Sequence, residues 1–206
     1  MKNADKILSW AAELQSLAQA GLFYGKDKYD LERFQRIREI SAEMLTMKTD
    51  LSFEKVQNLF CNETGYQTPK VDTRAAIFKD EKILLVREDD GRWAMPGGWC
   101  DFNLSPAENT VKEAKEEAGL DVVVDKVVAV QDREKHNFPS YIFDVVKILY
   151  LCTSKGGEFH KNIETSESKY FAEDELPPMA NEKCTAEQVK LCFEAHRAET
   201  WETQFD

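Results

Sequence analysis

The fold is decided by residues 97–120, which read GGWCDFNLSPAENTVKEAKEEAGL. A glycine pair opens the stretch, and the residues that follow it predict a loop. Ser105 is a good N-cap, Pro106 suits the first helical position and Glu108 can close a capping box. Gly119 is typical of the residue just after the last helical turn. The stretch therefore predicts a loop that leads into a helix ending before Gly119.

Three glutamates in this predicted helix share one face. Glu113, Glu116 and Glu117 stand at positions i, i+3 and i+4, so their neighbouring Cβ atoms lie about 5–6 Å apart. Carboxylates this close repel each other, and a divalent cation such as Mg²⁺ would reverse that cost because hard cations take oxygen ligands. The alternative is a solvated acidic face, which the interleaved Lys112 and Lys115 support.

The opposite face of the same helix favours the metal site. It carries a stripe of small apolar side chains, which can pack closely against a sheet. Close packing would hold the glutamate face beside the glycine pair, as a metal–phosphate site requires. The stripe consists of Ala107, Val111, Ala114 and Ala118.

Taken together, the stretch resembles the box of the Nudix hydrolases, G-x5-E-x7-R-E-U-x-E-E-x-G-U, in which U is a bulky apolar residue. Leu104 stands where the pattern has its first Glu, Lys112 replaces the Arg and Ala114 is small at the first U. Lys keeps the charge but lacks the planar fork of Arg. We hypothesise that the missing Glu and Arg brace each other in the family and were relaxed together here. The matching positions are Gly98, Glu113, Glu116, Glu117, Gly119 and Leu120.

The resemblance implies hydrolysis of a nucleoside diphosphate linked to another group. Bound Mg²⁺ or Mn²⁺ would neutralise the pyrophosphate and make a water nucleophilic. A general base often lies outside the box in this family, and the candidates are Glu164 and Glu158, either of which could be a plain surface residue. Glu164 is the residue we assign. The implied metal ligands are the carboxylates of Glu113, Glu116 and Glu117 and the carbonyl of Gly97.

Substrate contacts are also expected outside the box. The two arginines among them could hold phosphate or the nucleobase, and their alternative is a charge on a strand face. The tryptophans, together with Phe138, could stack on a base, and their alternative is core packing. The loop around Arg133 offers further polar groups. The predicted substrate-binding residues are Arg74, Arg87, Trp93, Trp99, Asp132 and His136.

Residues 1–67 predict a small all-α domain. Apolar residues recur at helical spacing over residues 4–20 and 28–47, and Ser52 can cap a third, short helix. Such a unit is too small to bury a large core alone. Its apolar stripe is therefore expected to pack on the second domain, on a partner subunit or on both, and we expect a homodimer through these helices. The stripe consists of Leu31, Phe34 and Ile37.

Residues 68–206 predict an α+β domain. Strands over residues 71–78 and 82–87 form a hairpin before the box, and residues 141–152 form a strand that is apolar on nearly both faces. A short strand at residues 167–171 precedes a last helix. This order is similar to that of the Nudix fold, an α/β/α sandwich with a mixed sheet.

The resemblance narrows to a bacterial subgroup with a helical N-terminal unit, which includes CDP-choline pyrophosphatase and ADP-ribose pyrophosphatase-like proteins. It makes CDP-choline the first expected substrate, cleaved to CMP and phosphocholine, with ADP-ribose or a nucleotide sugar as the alternative. A non-catalytic nucleotide-sensing module is disfavoured because the three glutamates remain. The acidity of the chain disfavours an RNA hydrolase.

Composition disfavours several kinds of partner and site. The formal net charge is −11 over 206 residues, and there is no basic patch of the kind that binds duplex nucleic acid. No apolar run is long enough to span a membrane. The 5 cysteines lack C-x-x-C spacing, so free thiols in a reducing cytoplasm are expected. The 3 histidines show no zinc-like spacing.

Overall fold

The structure is a computed structural model that describes residues 3–49 and 51–206. Internal contacts divide the chain into two compact units, Met1–Pro69 and Lys70–Asp206. We call them the helical unit and the sheet unit. In the described part of the chain, no helix is both long enough and apolar enough to cross a membrane.

The helical unit contains α1 (Asn3–Tyr24), α2 (Lys28–Thr46) and α3 (Phe53–Phe60). Asp27 caps α2, because its side chain accepts two N–H groups of the first turn. Ser52 caps α3 in the same way, as the sequence predicted. Helices α2 and α3 thus begin where short polar side chains satisfy N–H groups of the first turn.

Helices α1 and α2 pack closely where Gly21 meets the ring of Phe34. A Cβ atom at Gly21 would lie 2.4 Å from that ring, so only glycine fits there. Leu31, Phe34 and Ile37 of the predicted apolar stripe are half-buried. A different set of apolar side chains on α1 is exposed by 53%, 59% and 63%. That α1 stripe consists of Trp10, Leu17 and Tyr24.

The sheet unit is built on one mixed sheet of seven strands in the order β3-β2-β1-β5-β4-β7, with β6 paired to β2. Parallel pairing joins β1 to β5 and β4 to β7, and the other pairs are antiparallel. The strands are β1 (Lys70–Lys79), β2 (Lys82–Arg87), β3 (Trp93–Ala94), β4 (Leu120–Asp132), β5 (Val145–Gly157), β6 (Glu167–Phe171) and β7 (Gln204–Phe205).

Helices cover both faces of this sheet. Helix α4 (Pro106–Ala118) contributes Ala114 and Ala118 to a core on one face. Helix α6 (Ala186–Arg197) contributes Val189, Cys192 and Phe193 to a core on the other face. The layers are therefore helix, sheet and helix, which confirms the predicted α+β sandwich with a mixed sheet, preceded in the chain by an all-α N-terminal segment.

Several element bounds differ from the sequence prediction. The loop around Arg133 contains a short helix, α5 (Arg133–His136), because the Asp132 side chain accepts the N–H of Glu134. The strand predicted over residues 141–152 begins at Val145 and extends through Gly156 to Gly157, where it pairs with the start of β4. The short strand β7 and a 3₁₀ turn at Glu173–Glu175 were not predicted.

Candidate active site

Helix α4 is fixed at both ends by its own residues. The Ser105 side chain accepts the N–H of Glu108, and the Glu108 carboxylate accepts the N–H of Ser105, so the predicted capping box is present. Gly119 ends the helix at φ +71°, where an added Cβ would lie 2.1 Å from a backbone oxygen. Asn109 then ties the helix to β1 by donating to the Thr73 hydroxyl at 3.0 Å.

The glycine pair brings the backbone of the loop against β1 and α4. Gly97 has φ +147°, and a Cβ there would lie 1.9 Å from the Thr73 carbonyl oxygen, so no side chain fits. Its N–H donates to a Glu117 carboxylate oxygen at 2.8 Å. A Cβ at Gly98 would lie 3.0 Å from a Glu113 carboxylate oxygen. The predicted closeness of the glycine pair to the glutamates is thus a direct contact.

We call Glu113, Glu116 and Glu117 the glutamate face. Glu113 and Glu117 are buried, with 8% and 6% of their surface exposed, whereas Glu116 is exposed. The Lys112 ammonium lies 2.9 Å from a Glu116 oxygen, 3.1 Å from an Asp101 oxygen and 3.3 Å from a Glu113 oxygen. Lys112 therefore gathers three carboxylates around one positive charge.

Burial sets the protonation of the glutamate face. It raises the pKa of Glu117 to about 7, against the opposing effects of Arg74 and of the Gly97 N–H. Burial also raises the pKa of Glu113. Hydrogen bonds to Glu116 and Asp101 hold the pKa of Lys112 above its ordinary range. Glu117 thus lacks enough neighbouring positive charge to hold it fully ionised at neutral pH.

A second group of charges lies deeper in the sheet, and we call it the buried ion triad: Asp72, Arg74 and Lys147. Asp72 on β1 is the register partner of Lys147 on β5, and Arg74 lies two residues further on the same face of β1. Arg74 donates to both Asp72 carboxylate oxygens, at 3.0 and 2.7 Å. Lys147 donates to one of them at 2.6 Å. All three residues are buried.

The triad is charged in spite of its burial. Burial raises the pKa of Asp72, but Arg74 and Lys147 outweigh it and hold that pKa below its ordinary value. Burial lowers the pKa of Lys147 to about 8, which Asp72 opposes. At neutral pH the triad therefore holds two positive charges and one negative charge.

One cavity of about 510 Å³ joins the glutamate face to the buried ion triad. Trp99 and Tyr141 lie at its border, with their rings nearly parallel at 6.4 Å between centroids, and both are more than 40% exposed. The Arg133 guanidinium lies 4.9 Å from the Tyr141 ring centroid. Glu164 lies on a loop that Asn162 and Thr165 fasten to the end of α4 through the carbonyls of residues 116 and 117. The predicted residues that line the cavity are Arg74, Gly97, Trp99, Glu113, Glu116, Glu117 and Glu164.

Four predicted substrate-binding residues lie outside the residues that line this cavity. Trp93 is 7% exposed and packs edge-on against Phe171, since β3 lies against the core. Arg87 forms an exposed ion pair with Glu167 on the neighbouring strand. Asp132 caps α5. The His136 ring contacts Asp206 at 2.7 Å. Glu158 and Phe138 also lie outside the cavity lining.

Sequence reasoning missed Asp72, Lys147 and Tyr141. A signal for two of them was present, because Asp72 and Lys147 are charged residues within otherwise apolar predicted strands, and Lys is almost never fully buried unless paired. Their pairing depends on the register of β1 with β5, which joins residues 75 positions apart. Tyr141 carried no comparable signal.

Comparison with known proteins identifies this arrangement. The model of the Nudix domain matches residues 68–192, more than half of the chain. The chain belongs to the Nudix hydrolase family. A second model, described as a UDP-X-like N-terminal oligomerisation domain, matches residues 5–60. The protein is thus a Nudix pyrophosphohydrolase of the subgroup with a helical N-terminal segment, as the sequence predicted.

Three similar proteins cover most of the chain. YjhB of Bacillus subtilis, provisionally named an ADP-ribose pyrophosphatase, is 40% identical over 207 residues and both chains are covered fully. The crystal structure of an ADP-ribose pyrophosphatase from Streptococcus suis is 55% identical over 68% of this chain and all of that chain, with a TM-score of 0.64. The crystal structure of a UDP-X diphosphatase is 31% identical over 98% of both chains, with a TM-score of 0.63. These similarities support hydrolysis of the pyrophosphate bond in a nucleotide derivative.

Nudix hydrolases generally use divalent cations such as Mg²⁺ or Mn²⁺, and the donors present suit such ions. They are carboxylate oxygens, and three of them already gather around the Lys112 cation. The raised pKa of Glu117 also indicates a carboxylate that additional positive charge would ionise. Within residues 3–49 and 51–206, no three His, Cys, Asp or Glu side chains converge closely enough to hold a metal ion as they stand. Rearrangement of the side chains of the glutamate face would accompany metal binding.

Proposed function

We propose that this Nudix enzyme hydrolyses ADP-ribose to AMP and ribose 5-phosphate. The observation that carries the proposal is the single cavity in which the glutamate face meets the buried ion triad, since a pyrophosphate needs both metal ligands and cationic groups. Two similar proteins named for ADP-ribose pyrophosphatase activity support ADP-ribose as the substrate. CDP-choline, the first expectation from the sequence, has no such support among them. The UDP-X diphosphatase makes other nucleoside diphosphate derivatives the second candidate class.

In this proposal Glu113, Glu116 and Glu117 would hold Mg²⁺ or Mn²⁺ together with the Gly97 carbonyl. The bound cations would neutralise the pyrophosphate and lower the pKa of a water molecule. Glu164 would accept a proton from that water, because it is exposed at the edge of the same cavity. Residues 68–206 would form the catalytic domain and residues 1–67 the helical domain.

The substrate side of the proposal uses cavity residues alone. Arg74 would contribute positive charge toward the phosphates, and Trp99 would offer a ring face to the adenine. Four predicted residues are not among these contacts, because each has another partner. Arg87 pairs with Glu167, Trp93 packs in the core, Asp132 caps α5 and His136 contacts Asp206. A site with buried polar groups rejects ligands that leave them unpaired, so base choice is measurable as a ratio of kcat/KM values.

A hydrolysis panel tests the substrate. Purified full-length protein is assayed with Mg²⁺ and with Mn²⁺ against ADP-ribose, CDP-choline, UDP-glucose and a 5′-triphosphate RNA. We expect kcat/KM for ADP-ribose to exceed that for CDP-choline by about tenfold or more, equivalent to about 1.4 kcal/mol of transition-state binding. A higher value for CDP-choline or UDP-glucose would reverse the substrate assignment.

The general base is tested with two glutamates. Glu164→Gln is expected to lower kcat by about 10²-fold and to remove the acidic limb of the pH–rate profile. The matched control is Glu158→Gln, which removes the same charge from an exposed residue outside the cavity lining. Equal rates in the two variants would exclude Glu164 as the base.

We also propose that the full-length protein is a homodimer through the helical unit. The α1 stripe of Trp10, Leu17 and Tyr24 repeats every seven residues, so it lies along one side of the helix. The similar domain described as an oligomerisation domain supports the same role. Leu17→Glu should halve the mass measured by light scattering, whereas Asn58→Glu, an equal charge at an exposed polar position of α3, should leave it unchanged. A monomeric wild type at micromolar concentration would refute the dimer.

A further inference from the structure

The buried ion triad has one positive charge too many to be a purely structural ion pair. Arg74 and Lys147 carry two positive charges, and Asp72 carries one negative charge. Burying an uncompensated charge is costly, and a buried ion pair is by itself weak evidence of a contribution to stability. The lowered pKa of Lys147 reflects that cost, because burial outweighs its attraction to Asp72. The excess charge therefore calls for an anion.

The hydrogen bonds of the triad leave donors toward the cavity. Lys147 has three N–H donors, of which one goes to Asp72 and one to the Lys183 carbonyl at 2.7 Å. Arg74 has five, of which two go to Asp72 and one to the Met95 carbonyl at 3.2 Å. Counted over the described residues, these bonds use five of the eight donors. Both side chains line the cavity, so the remaining donors can reach a ligand there.

The neighbouring carboxylates do not supply the missing negative charge. The Glu117 carboxylate accepts the Gly97 N–H at 2.8 Å, and the Glu113 and Glu116 carboxylates lie against Lys112 rather than against the triad. Asp72 is already shared between both cations. An external anion bound in the cavity would satisfy the charge and the donors at once, and tetrahedral phosphate oxygens suit both an ammonium and a guanidinium.

We propose that Lys147 and Arg74 form a phosphate subsite that binds the diphosphate of the substrate in the cavity they share with the glutamate face. Asp72 is a positioning residue that holds the two cations in register across β1 and β5. This inference rests on the proposed function, since it assigns one part of the same substrate. Lys147 is thus a binding residue of the enzyme, although it lies 27 residues beyond Leu120, the last residue of the box.

The kinetic test replaces the buried ammonium by a group of similar length. Lys147→Met leaves the neutral Asp72–Arg74 pair, so the variant should fold as stably as the wild type or more stably. We expect KM to rise by at least about tenfold with kcat changed much less, because a charge-assisted hydrogen bond made in both ground and transition states is lost. Lys169→Met, which removes an exposed lysine of β6 outside the cavity lining, should match the wild type.

A loss of stability with KM unchanged would overturn the subsite and make Lys147 structural. If Lys147→Met does not fold, Lys147→Gln serves in its place, because glutamine retains a donor for Asp72 and lacks the charge. The same KM criterion then decides.

A binding test separates this inference from the proposed function. Inorganic phosphate is added to the metal-free protein in EDTA, and thermal unfolding is compared with chloride at equal ionic strength. Ligand binding to the folded state alone should raise the Tm of the wild type and of Lys169→Met by a few degrees, and leave Lys147→Met unchanged. If the wild type hydrolyses none of the panel, the proposed function fails while this shift still decides the subsite. Equal shifts in wild type and Lys147→Met, or no shift in either, would overturn it.

Discussion

The glutamate face and the buried ion triad line the same cavity but are built in opposite ways. The glutamate face comes from five consecutive residues of one helix, and its charges repel each other. The triad comes from two strands, and one carboxylate attracts two cations across the register of a parallel pair. The first group is formed by residues close together in sequence, and its negative charges suit the binding of cations. The second group joins residues that are far apart in sequence, and we infer that it binds an anion. A pyrophosphate with its metal ions would therefore complement both groups.

The largest expected effect comes from breaking the glutamate face. Glu117→Gln keeps the shape and the acceptor for the Gly97 N–H but removes a ligand charge. Because the cations have to be held where charge develops, we expect kcat to fall by about 10³-fold or more with saturating Mg²⁺. Steady-state kinetics measure the fall, and circular dichroism checks that the variant is folded. The control is Glu187→Gln, an exposed charge in the first turn of α6. Rates near those of wild type would exclude Glu117 from the mechanism.

The glutamate face and the buried ion triad also differ in how far the sequence predicts them. Residues spaced i, i+3 and i+4 share one face of any α-helix, and Ser105, Pro106 and Gly119 predict where this helix begins and ends. The glutamates could therefore be placed on one face, and the Nudix family recognised, before any tertiary contact was known. The succession of strands and helices along the chain and the sandwich class were predictable for the same reason, since hydrophobic periodicity and turn residues are local signals.

The buried ion triad could not be predicted in that way. Asp72 and Lys147 become neighbours only when β1 and β5 adopt their particular parallel register, and no short-range pattern sets that register. The same limit applies to Trp93 and His136, whose partners Phe171 and Asp206 are distant in sequence. An aromatic or a histidine near the box in sequence is not thereby near the cavity. The Lys112–Asp101 contact likewise depends on the fold of the loop.

The second prediction concerns the stability of the triad. Asp72→Asn leaves Arg74 and Lys147 buried without a counter-charge, and removing one partner of a buried ion pair typically costs about 3–5 kcal/mol. We expect chemical denaturation to show a loss of that order. In the double variant Asp72→Asn, Lys147→Met one buried cation remains in place of two, so part of the loss should be recovered. If Lys147→Met changes the stability of the wild type and of Asp72→Asn by the same amount, the two residues are not coupled.

The third prediction uses the pKa of Lys147, which burial lowers to about 8 from an ordinary 10.5. Between these values the unfolded chain binds more protons than the folded one, so the wild type gains stability as pH rises. Lys147→Met has no such group, so its stability advantage over the wild type should shrink by about 1 kcal/mol between pH 7 and pH 9. Parallel urea titrations at the two pH values measure the difference. An advantage that stays constant or grows would mean that the buried lysine is not charged at pH 7.

The smallest expected effect concerns the aromatic border of the cavity, which belongs to neither charged group. Trp99 and Tyr141 are exposed beside the cavity with nearly parallel rings, whereas most aromatic side chains of comparable size in this unit are needed by the core. Stacking of a nucleobase on an exposed ring contributes about 1 kcal/mol, at the lower end of the range for base–aromatic contacts.

Trp99→Leu should therefore raise KM for ADP-ribose about fivefold and leave kcat near that of wild type, since the ring is remote from the bond that breaks. The same substitution should have no effect on the phosphate-induced rise in Tm, because inorganic phosphate has no base to stack. Phe102→Leu is the control, being an aromatic in the same loop that is 92% exposed and outside the cavity lining. If Trp99→Leu changes the phosphate response as strongly as the KM, the ring supports the loop rather than the base. The charged groups would then account for all of the substrate binding that this cavity provides.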